Sequence, residues 1–458
     1  MQNKPLWWGI DDISPSPTRS PITEDHNFDV VIIGGGYTGL WTAYYLARQA
    51  PHLKIAILES VFVGFGASGR NGGWLAASVP GSLELYAKNS SKLAALNFAH
   101  EMVTTVDEVI GVAEEEGIEF DLIKSGCIRL ATSPAQAKRL EAAVAFERSW
   151  DGGAEGWRIE TPEQISERII TPKVVIGAFT PNCARINPFK LIRGLAQVVE
   201  RLGVQIFEKS AVHEYGPGYV KTESHRITCR HVVRATEGFT CRLPGQARRW
   251  LPMNSSMIAT EPLSKKIWSE IGWDGEETLS DFAHAYAYLQ RTADGRIAVG
   301  GRGNPYVYAG RFDSSGVTSA ETVDSLKRVL HRLFPATLDC KIDFAWSGVL
   351  GVPRDWCAGV GYDQKTGLGW AGGYTGQGVA ATNLAGRTLA DLIQNKKSEL
   401  TSMPWIDRKA RKWEIEPFRW LGVQTIYAAY RKADKIESGR ESDEEARVAR
   451  IAALISGR

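Results

Sequence analysis

Between Phe28 and Ser60 the chain reads FDVVIIGGGYTGLWTAYYLARQAPHLKIAILES, and no other stretch restricts the fold as much. Val30, Val31, Ile32 and Ile33 form a short β-branched run of the kind that becomes a strand buried on both faces. Gly34, Gly36 and Gly39 follow in the spacing G-x-G-x-x-G, and Leu40, Ala43, Tyr44 and Ala47 then repeat at helical intervals. A second strand, Lys54 to Leu58, ends at Glu59, about 20 residues beyond the last glycine, where an acid meets ribose hydroxyls in dinucleotide-binding β-α-β units. Glycine lets the backbone reach a pyrophosphate, and the helix start at Tyr37, Thr38 and Gly39 offers free N–H groups at the positive end of the dipole. A carboxylate at Glu59 repels a ribose 2′-phosphate, which argues against NADP.

The 458 residues leave room for two or three packed units around that motif. Lysine plus arginine number 54 against 52 acidic residues, so no strong overall field draws the chain to nucleic acid or anionic lipid. Cys127, Cys183, Cys229, Cys241, Cys340 and Cys357 are scattered without a C-x-x-C pair, as reduced and mostly buried thiols would be. No histidine lies in a metal-ligand spacing and no G-x-S-x-G elbow occurs, so metal and hydrolase readings have no support. The stretch Met1 to Pro17 lacks the apolar run of about 7 residues that a signal peptide needs, and a cytoplasmic location follows as the expectation. Val30 to Ala47 and Gly367 to Gly386 are uncharged, but their internal glycines make them buried strand-loop-helix units rather than membrane spans.

Along the rest of the chain the pattern predicts a long helix within Leu93 to Gly117, a hairpin over Asp121 to Ala131 and a charged helix over Pro134 to Trp150. A helix and strand follow from Asn187, a strand over His231 to Arg234, and a hairpin strand ending in Val299, Gly300 and Gly301 after the turn at Asp294 and Gly295. Parallel-sheet units thus alternate with hairpin-rich stretches, as in two domains that the chain visits more than once.

Two more glycine-rich stretches stand outside the nucleotide motif. One is GFGASGRNGG over Gly64 to Gly73; the other is GGYTGQGV over Gly372 to Val379, which opens a helix through Ala380 to Ile393. Between them a strand ends in Ala235, Thr236 and Glu237. Together these motifs resemble the D-amino-acid oxidase-like FAD-dependent oxidoreductases, in particular the branch similar to gamma-glutamylputrescine oxidases, over Phe28 to Ile393. The resemblance implies an α/β FAD-binding nucleotide fold of the glutathione-reductase-like kind, interleaved with an α+β substrate domain built on an antiparallel sheet. It divides the chain into an N-terminal extension (1–27), a discontinuous FAD-binding domain (28–90, 177–240 and 345–395), a substrate domain (91–176 and 241–344) and a C-terminal helical segment (396–458).

By the same resemblance FAD lies extended across the motifs. Gly66, Ala67, Ser68, Gly69, Arg70, Asn71, Gly72 and Gly73 wrap the flavin ring and pyrophosphate, and Ser60, Val212, Ala235, Thr236 and Gly348 join the cofactor site. Gly373, Tyr374, Thr375, Gly376, Gln377 and Gly378 set the last helix against the flavin pyrimidine edge, where oriented N–H groups stabilise the charge of the reduced ring. Relatives that tether flavin use a cysteine, which would fall near Trp346 to Gly348 here, or a histidine in the first glycine-rich loop. This sequence has neither, so noncovalent FAD is expected. Leu350 stands where amino acid oxidases carry a carboxylate-clamping arginine, which disfavours an α-amino acid held in that way. The lysine that assists oxygen activation in sarcosine-type relatives is replaced near Ala298, so the electron acceptor is either O2 or a redox partner.

The reading is oxidation of a small-molecule primary or secondary amine, a reaction whose main demand is positioning; the alternatives are a flavin-binding dehydrogenase subunit or scaffold that passes electrons to a partner, or an oxidase of N-methyl amino acids or aminophosphonates. Trp74, Tyr288, Gln290, Arg302 and Tyr374 are the candidates for that task, with Tyr288 and Tyr374 expected to be catalytic. Their aromatic faces attract an amine or cation. From Met403 on, Trp405, Trp413, Phe418, Trp420 and Tyr427 interleave with basic residues, followed by an acidic patch at Glu441 to Glu445. This segment either packs back on the FAD domain or makes a weak membrane or protein contact.

Overall fold

The computed structural model describes residues 1–9, 18–150, 156–301, 303–439 and 442–456. The β-branched run becomes the strand Asn27–Ile33, flanked in parallel by Ile55–Leu58 on one side and Arg226–Arg234 on the other. Gln205–Phe207 extends this sheet beyond Ile55–Leu58, and Leu368–Gly372 extends it beyond Arg226–Arg234, both in parallel. Side chains alternate across it. Val30 and Ile32 face the helices, packing with Leu40 and Trp41, whereas Val31 and Ile33 face Val220, Ile227 and Cys229 near the hairpin formed by Val212–Gly216 and Tyr219–Thr222. Burial on both faces explains why the run carries no polar residue.

The second sheet runs in the order Ile342–Val352, Leu251–Thr260, Ile297–Gly301, Tyr288–Arg291, Thr278–Asp281, Cys127–Ala131, Ile176–Thr180 and Arg158–Glu160. It is antiparallel except where Thr278–Asp281 pairs in parallel with Cys127–Ala131. The hairpin expected over Asp121 to Ala131 does not form. Cys127–Ala131 instead takes Thr278–Asp281 and Ile176–Thr180 as its neighbours, because its residues Ile128 and Leu130 are drawn into the apolar layer beneath the helix Ala320–Leu333. Two boundaries expected from the sequence, at 177 and at 345, fall inside strands of this second sheet, Ile176–Thr180 and Ile342–Val352. The helices at Lys92–Glu115 and Pro134–Arg148 lie where their periodicity placed them.

Arg70 fastens the two sheets to each other. Its Nε donates to the Phe65 carbonyl (2.7 Å) and its Nη1 to those of Ser315 and Ser347 (3.0 Å each), while the guanidinium lies over Trp8 and Phe65 at 4.7 and 4.6 Å. Burial pulls this guanidinium down to about 10, and its donors satisfy backbone acceptors rather than a carboxylate. The C-terminal segment divides. Trp405 packs against Phe98 of the first core (4.9 Å), and Trp413, Val423 and Tyr427 of the later part pack against Leu251, Met253 and Val352 of the second sheet, Val352 belonging to the stretch 345–395 that the sequence assigns to the FAD-binding domain. Among the described residues no helix is long and apolar enough to cross a membrane.

The helices Tyr37–Gln49 and Gly378–Ile393 meet so closely that a Cβ on Gly386 would lie 2.6 Å from the Trp41 Cβ and 2.8 Å from the Thr42 nitrogen. Gly386→Ala should therefore destabilise the fold by about 1–3 kcal/mol, since neither helix backbone has room to yield. Gly422→Ala, within the helix Phe418–Glu437 and with open space around the position, should instead stabilise by up to about 1 kcal/mol through helix propensity. Thermal denaturation followed by circular dichroism checks both signs.

Candidate active site

Three glycine-rich stretches from distant parts of the chain converge at the top of the first sheet. Gly34 has φ +111, and a Cβ there would lie 2.7 Å from the Ala235 carbonyl oxygen, so the nucleotide turn touches the Ala235–Thr236 turn backbone to backbone. A Cβ on Gly39 would run into the Gly34 carbonyl, and one on Gly36 would meet the Ser68 hydroxyl at 3.0 Å. The helix Tyr37–Gln49 starts at Gly36 without a side-chain cap, its Tyr37 N–H donating to Ser68 Oγ at 3.0 Å. The helix Gly378–Ile393 likewise starts at Gln377 uncapped. A hydrogen bond of 3.0 Å between Thr38 Oγ1 and the Tyr374 hydroxyl joins these two helix starts.

Glu59 is buried at the end of its strand. Its carboxylate accepts from the N–H of Gly35 (2.8 Å) and of Val61 (3.0 Å) and from the Ser60 hydroxyl (3.1 Å). Burial raises its pKa, and those donors oppose the rise. Ser210 donates its N–H to the Glu59 carbonyl (2.8 Å), which brings Val212, at the start of the neighbouring hairpin, to the same end of the sheet. In the first glycine-rich loop Ala67–Gly69 form a short 3-10 turn, and Asn71 closes the loop: its amide donates to the Ala67 and Ser68 carbonyls, and its Oδ1 accepts from Gly73 at 2.9 Å. In the second, Thr375 and Gly376 take φ +58 and +104, and the Gln377 N–H returns to the Tyr374 carbonyl at 2.9 Å.

Between these loops and the second sheet opens a cavity of about 790 Å³. Ala67, Arg70, Asn71, Gly72, Gly348, Gly376, Gln377 and Gly378 line its nucleotide side. Trp74, Tyr288, Phe146, Trp157, Phe282 and Tyr286 give the lining an aromatic character, and Leu350 lines the same space. Tyr288 lies edge-on to Trp74 (6.1 Å, 81°), its hydroxyl 2.9 Å from Ser255 Oγ, with Gly72 against its ring.

The other residues proposed for positioning are placed differently. Tyr374 is not among the residues that line the cavity: its ring is buried and its hydroxyl is hydrogen-bonded to Thr38. Burial also raises its pKa well beyond the ordinary tyrosine value. Gln290 sits beneath the cavity floor with its Nε2 on the Gly72 carbonyl (2.5 Å), and Arg302 lies outside the described residues.

Glu237 is the residue that sequence reasoning passed over. At φ +38 it turns its carboxylate back so that Oε2 accepts from Gly373 (2.8 Å) and Oε1 from Gly351 and Tyr374 (3.2 and 3.3 Å). Burial pushes this carboxyl up to about 7, against the pull of those N–H groups and of Arg234. The only hint in the sequence is an acid placed directly after the Ala-Thr turn.

A strand-turn-helix for a pyrophosphate, facing glycine-rich loops and a cavity walled by a second sheet, defines a flavin-dependent oxidoreductase architecture. The chain belongs to the DAO family of FAD dependent oxidoreductases, whose model matches residues 29–392. It is 28% identical over 392 residues to a probable oxidoreductase of Haemophilus influenzae, covering 83% of this chain and 86% of that one. It is 27% identical over 383 residues to gamma-glutamylputrescine oxidoreductase of Escherichia coli, covering 81% and 85%. The structure of glycine oxidase from Geobacillus kaustophilus shares the fold, with a TM-score of 0.70 at 22% identity over 84% of this chain and all of that one. FAD is thus the cofactor, and the enzyme is an oxidoreductase acting on an amine or amino acid.

The Glu237 carboxyl has a sign that can be tested. Its pKa stands above the roughly 4.3 of an unfolded chain, so its contribution to stability is full below pH ~4 and is lost as pH rises through about 7. Between pH 5 and 8 the wild type should lose about 2 kcal/mol relative to Glu237→Gln, which has no charge to bury. Parallel denaturation curves of the two proteins at each pH give the difference directly.

Proposed function

We propose that the protein oxidises a primary or secondary amine that carries no clamped α-carboxylate, using noncovalently held FAD. The observation that supports this reading is Leu350, an apolar residue on the cavity wall, which by the family resemblance stands where amino acid oxidases carry a carboxylate-clamping arginine. An aliphatic group offers no hydrogen bond to replace a bidentate guanidinium.

The chain's own groups fit the cofactor. Two uncapped helix starts, joined by Thr38 and Tyr374, offer N–H groups at the positive ends of their dipoles. Gly34, Gly36 and Gly39 leave no Cβ over the turn, and Glu59, whose carboxylate already accepts from Gly35, Val61 and Ser60, would receive ribose hydroxyls. The loop from Gly66 to Gly73, with Gly348 and with the turn from Gly373 to Gly378, would hold the flavin end. When bound, FAD supplies a hydride acceptor for the carbon next to the amine nitrogen, and water hydrolyses the resulting imine to an aldehyde.

The protein's remaining tasks are orientation and exclusion of water. Trp74 and Tyr288 present a right-angled aromatic corner to the cavity, which favours an amine against ring faces. Tyr288 is fixed from behind by Ser255, so its ring cannot swing away from Gly72. Ala298 is fully buried on the strand Ile297–Gly301 and supplies no cation for oxygen, leaving O2 or a redox partner as the acceptor.

The purified protein should be yellow and release its FAD into the supernatant on acid precipitation; flavin retained in the pellet would contradict noncovalent attachment. Under anaerobic conditions primary and secondary amines should bleach the flavin faster than simple D- or L-amino acids do. Leu350→Arg should shift that ratio toward amino acids by about 10-fold or more, the scale of a charge-assisted hydrogen bond gained. Stopped-flow spectra with matched amine and amino acid pairs measure it.

A further inference from the structure

The family match ends at residue 392, yet the helix Phe418–Glu437 reaches the wall of the cavity. The contact falls on the loop between the strands Thr278–Asp281 and Tyr288–Arg291, whose residues Phe282, Ala283, His284 and Tyr286 line the cavity. Both oxygens of Asp434 accept from this loop: Oδ1 from the His284 N–H at 2.7 Å and Oδ2 from the Ala285 N–H at 3.0 Å. One turn further on, the buried Glu437 accepts from His284 Nε2 (2.9 Å) and from Arg139 Nη1 (2.6 Å), and Arg139 in turn donates to the Phe282 carbonyl (3.2 Å). The Tyr430 ring lies parallel to the His284 ring at 5.7 Å. Arg139 and His284 both line the cavity, so one helix outside the matched region grips two of its walls.

We propose that Asp434 and Glu437 are positioning residues, through which the C-terminal helix sets the shape of the substrate cavity. Backbone N–H groups in an irregular loop need acceptors, and here the loop takes two from Asp434 rather than from its own strands. The cluster of His284, Asp434 and Glu437, whose ligand atoms lie within 4.8 Å of one another, serves as a clasp rather than a metal site: all four carboxylate oxygens already accept from nitrogen. Glu437 Oε1 also accepts from the Ala446 N–H (2.9 Å), and Lys138 pairs with Asp443 at 2.8 Å, so the segment after the helix fastens the same clasp to the helix Pro134–Arg148. Ionised Glu437 is well suited to this, since its donors hold the carboxyl down at about 2 despite burial. The inference rests on the cavity being the substrate's, as the amine reading has it, but not on which amine enters.

The test uses the FAD-loaded full chain with Asp434→Ala, Asp434→Asn, Glu437→Gln and, as a control elsewhere on the C-terminal segment, Glu414→Gln. In Asp434→Ala the His284 and Ala285 amides should exchange hydrogen about 10-fold faster or more, with wild-type FAD content. Asp434→Asn, which keeps one acceptor oxygen, should recover part of that protection. The amine concentration for half-maximal anaerobic bleaching should rise about 5-fold in Asp434→Ala and Glu437→Gln while the limiting rate stays within about 2-fold, as expected for altered binding without altered chemistry. Glu414→Gln should match the wild type in every readout. Should Asp434→Ala fail to fold, faster exchange across residues 282–287 in Glu437→Gln carries the same weight. Unchanged exchange in this loop would overturn the clasp, and so would a limiting rate that falls in step with FAD loss. If no amine bleaches the wild-type flavin, the amine reading fails, and the exchange measurement alone decides the clasp because it needs no substrate.

Discussion

The carboxylate of Glu237 is the point on which the glycine-rich loops depend. It leaves the end of the strand Arg226–Arg234 and reaches both Gly351 on the second sheet and the Gly373–Tyr374 turn that begins the last core helix. Each of those N–H groups would otherwise be buried without an acceptor, a loss of roughly 1–3 kcal/mol apiece. Through Tyr374 and Thr38 the same tie extends to the start of the first helix. One side chain therefore keeps two helix starts and two sheets in register, and it does so with a group that burial has brought close to protonation at neutral pH.

Arg70 does the complementary work from the other side. Its donors go to carbonyls of three separate stretches, Phe65, Ser314–Ser315 and Ser347, and its face is covered by Trp8 and Phe65. Trp7 and Trp346 donate their indole N–H groups to the Asn71 and Arg70 carbonyls, so the N-terminal turn is part of the same clamp. A flexible glycine loop becomes a fixed one because its polar backbone is satisfied by residues from remote parts of the chain.

The nucleotide half was legible because its constraints are local. A β-branched run, three glycines at fixed spacing and an acid at the next strand end each have one physical explanation, and all lie within about 30 residues. The second sheet was less so. Its strands pair across long separations, and Cys127–Ala131 is indistinguishable by pattern from half of a hairpin until Thr278–Asp281 arrives beside it. Tyr374 was hard to place for a related reason: an aromatic residue within a glycine-rich turn looks exposed to a ligand, but its hydroxyl is hydrogen-bonded to Thr38. Glu237 and the clasp of Asp434 and Glu437 were invisible because what makes them matter is a set of backbone N–H groups from elsewhere, which leave no trace in side-chain spacing.

Several of the charges around the cavity are already paired. Arg129 is paired with Glu147 (3.0 Å) and stacked on Trp157 (3.6 Å), Arg139 is paired with Glu437, and Asp281 is paired with Arg332. Each cavity-lining charge of these three pairs is thus met by a partner within the protein before any ligand enters. Pulling one away to bind a substrate ion would leave the other partly buried and unpaired, which costs more than the new contact returns. The aromatic faces of Trp74 and Tyr288, by contrast, stand open to the same space. The positions of Trp74, Tyr288 and the Phe282–Tyr286 loop are fixed by hydrogen bonds to the Leu289 carbonyl, the Ser255 hydroxyl and the Asp434 carboxylate rather than by the nucleotide motif.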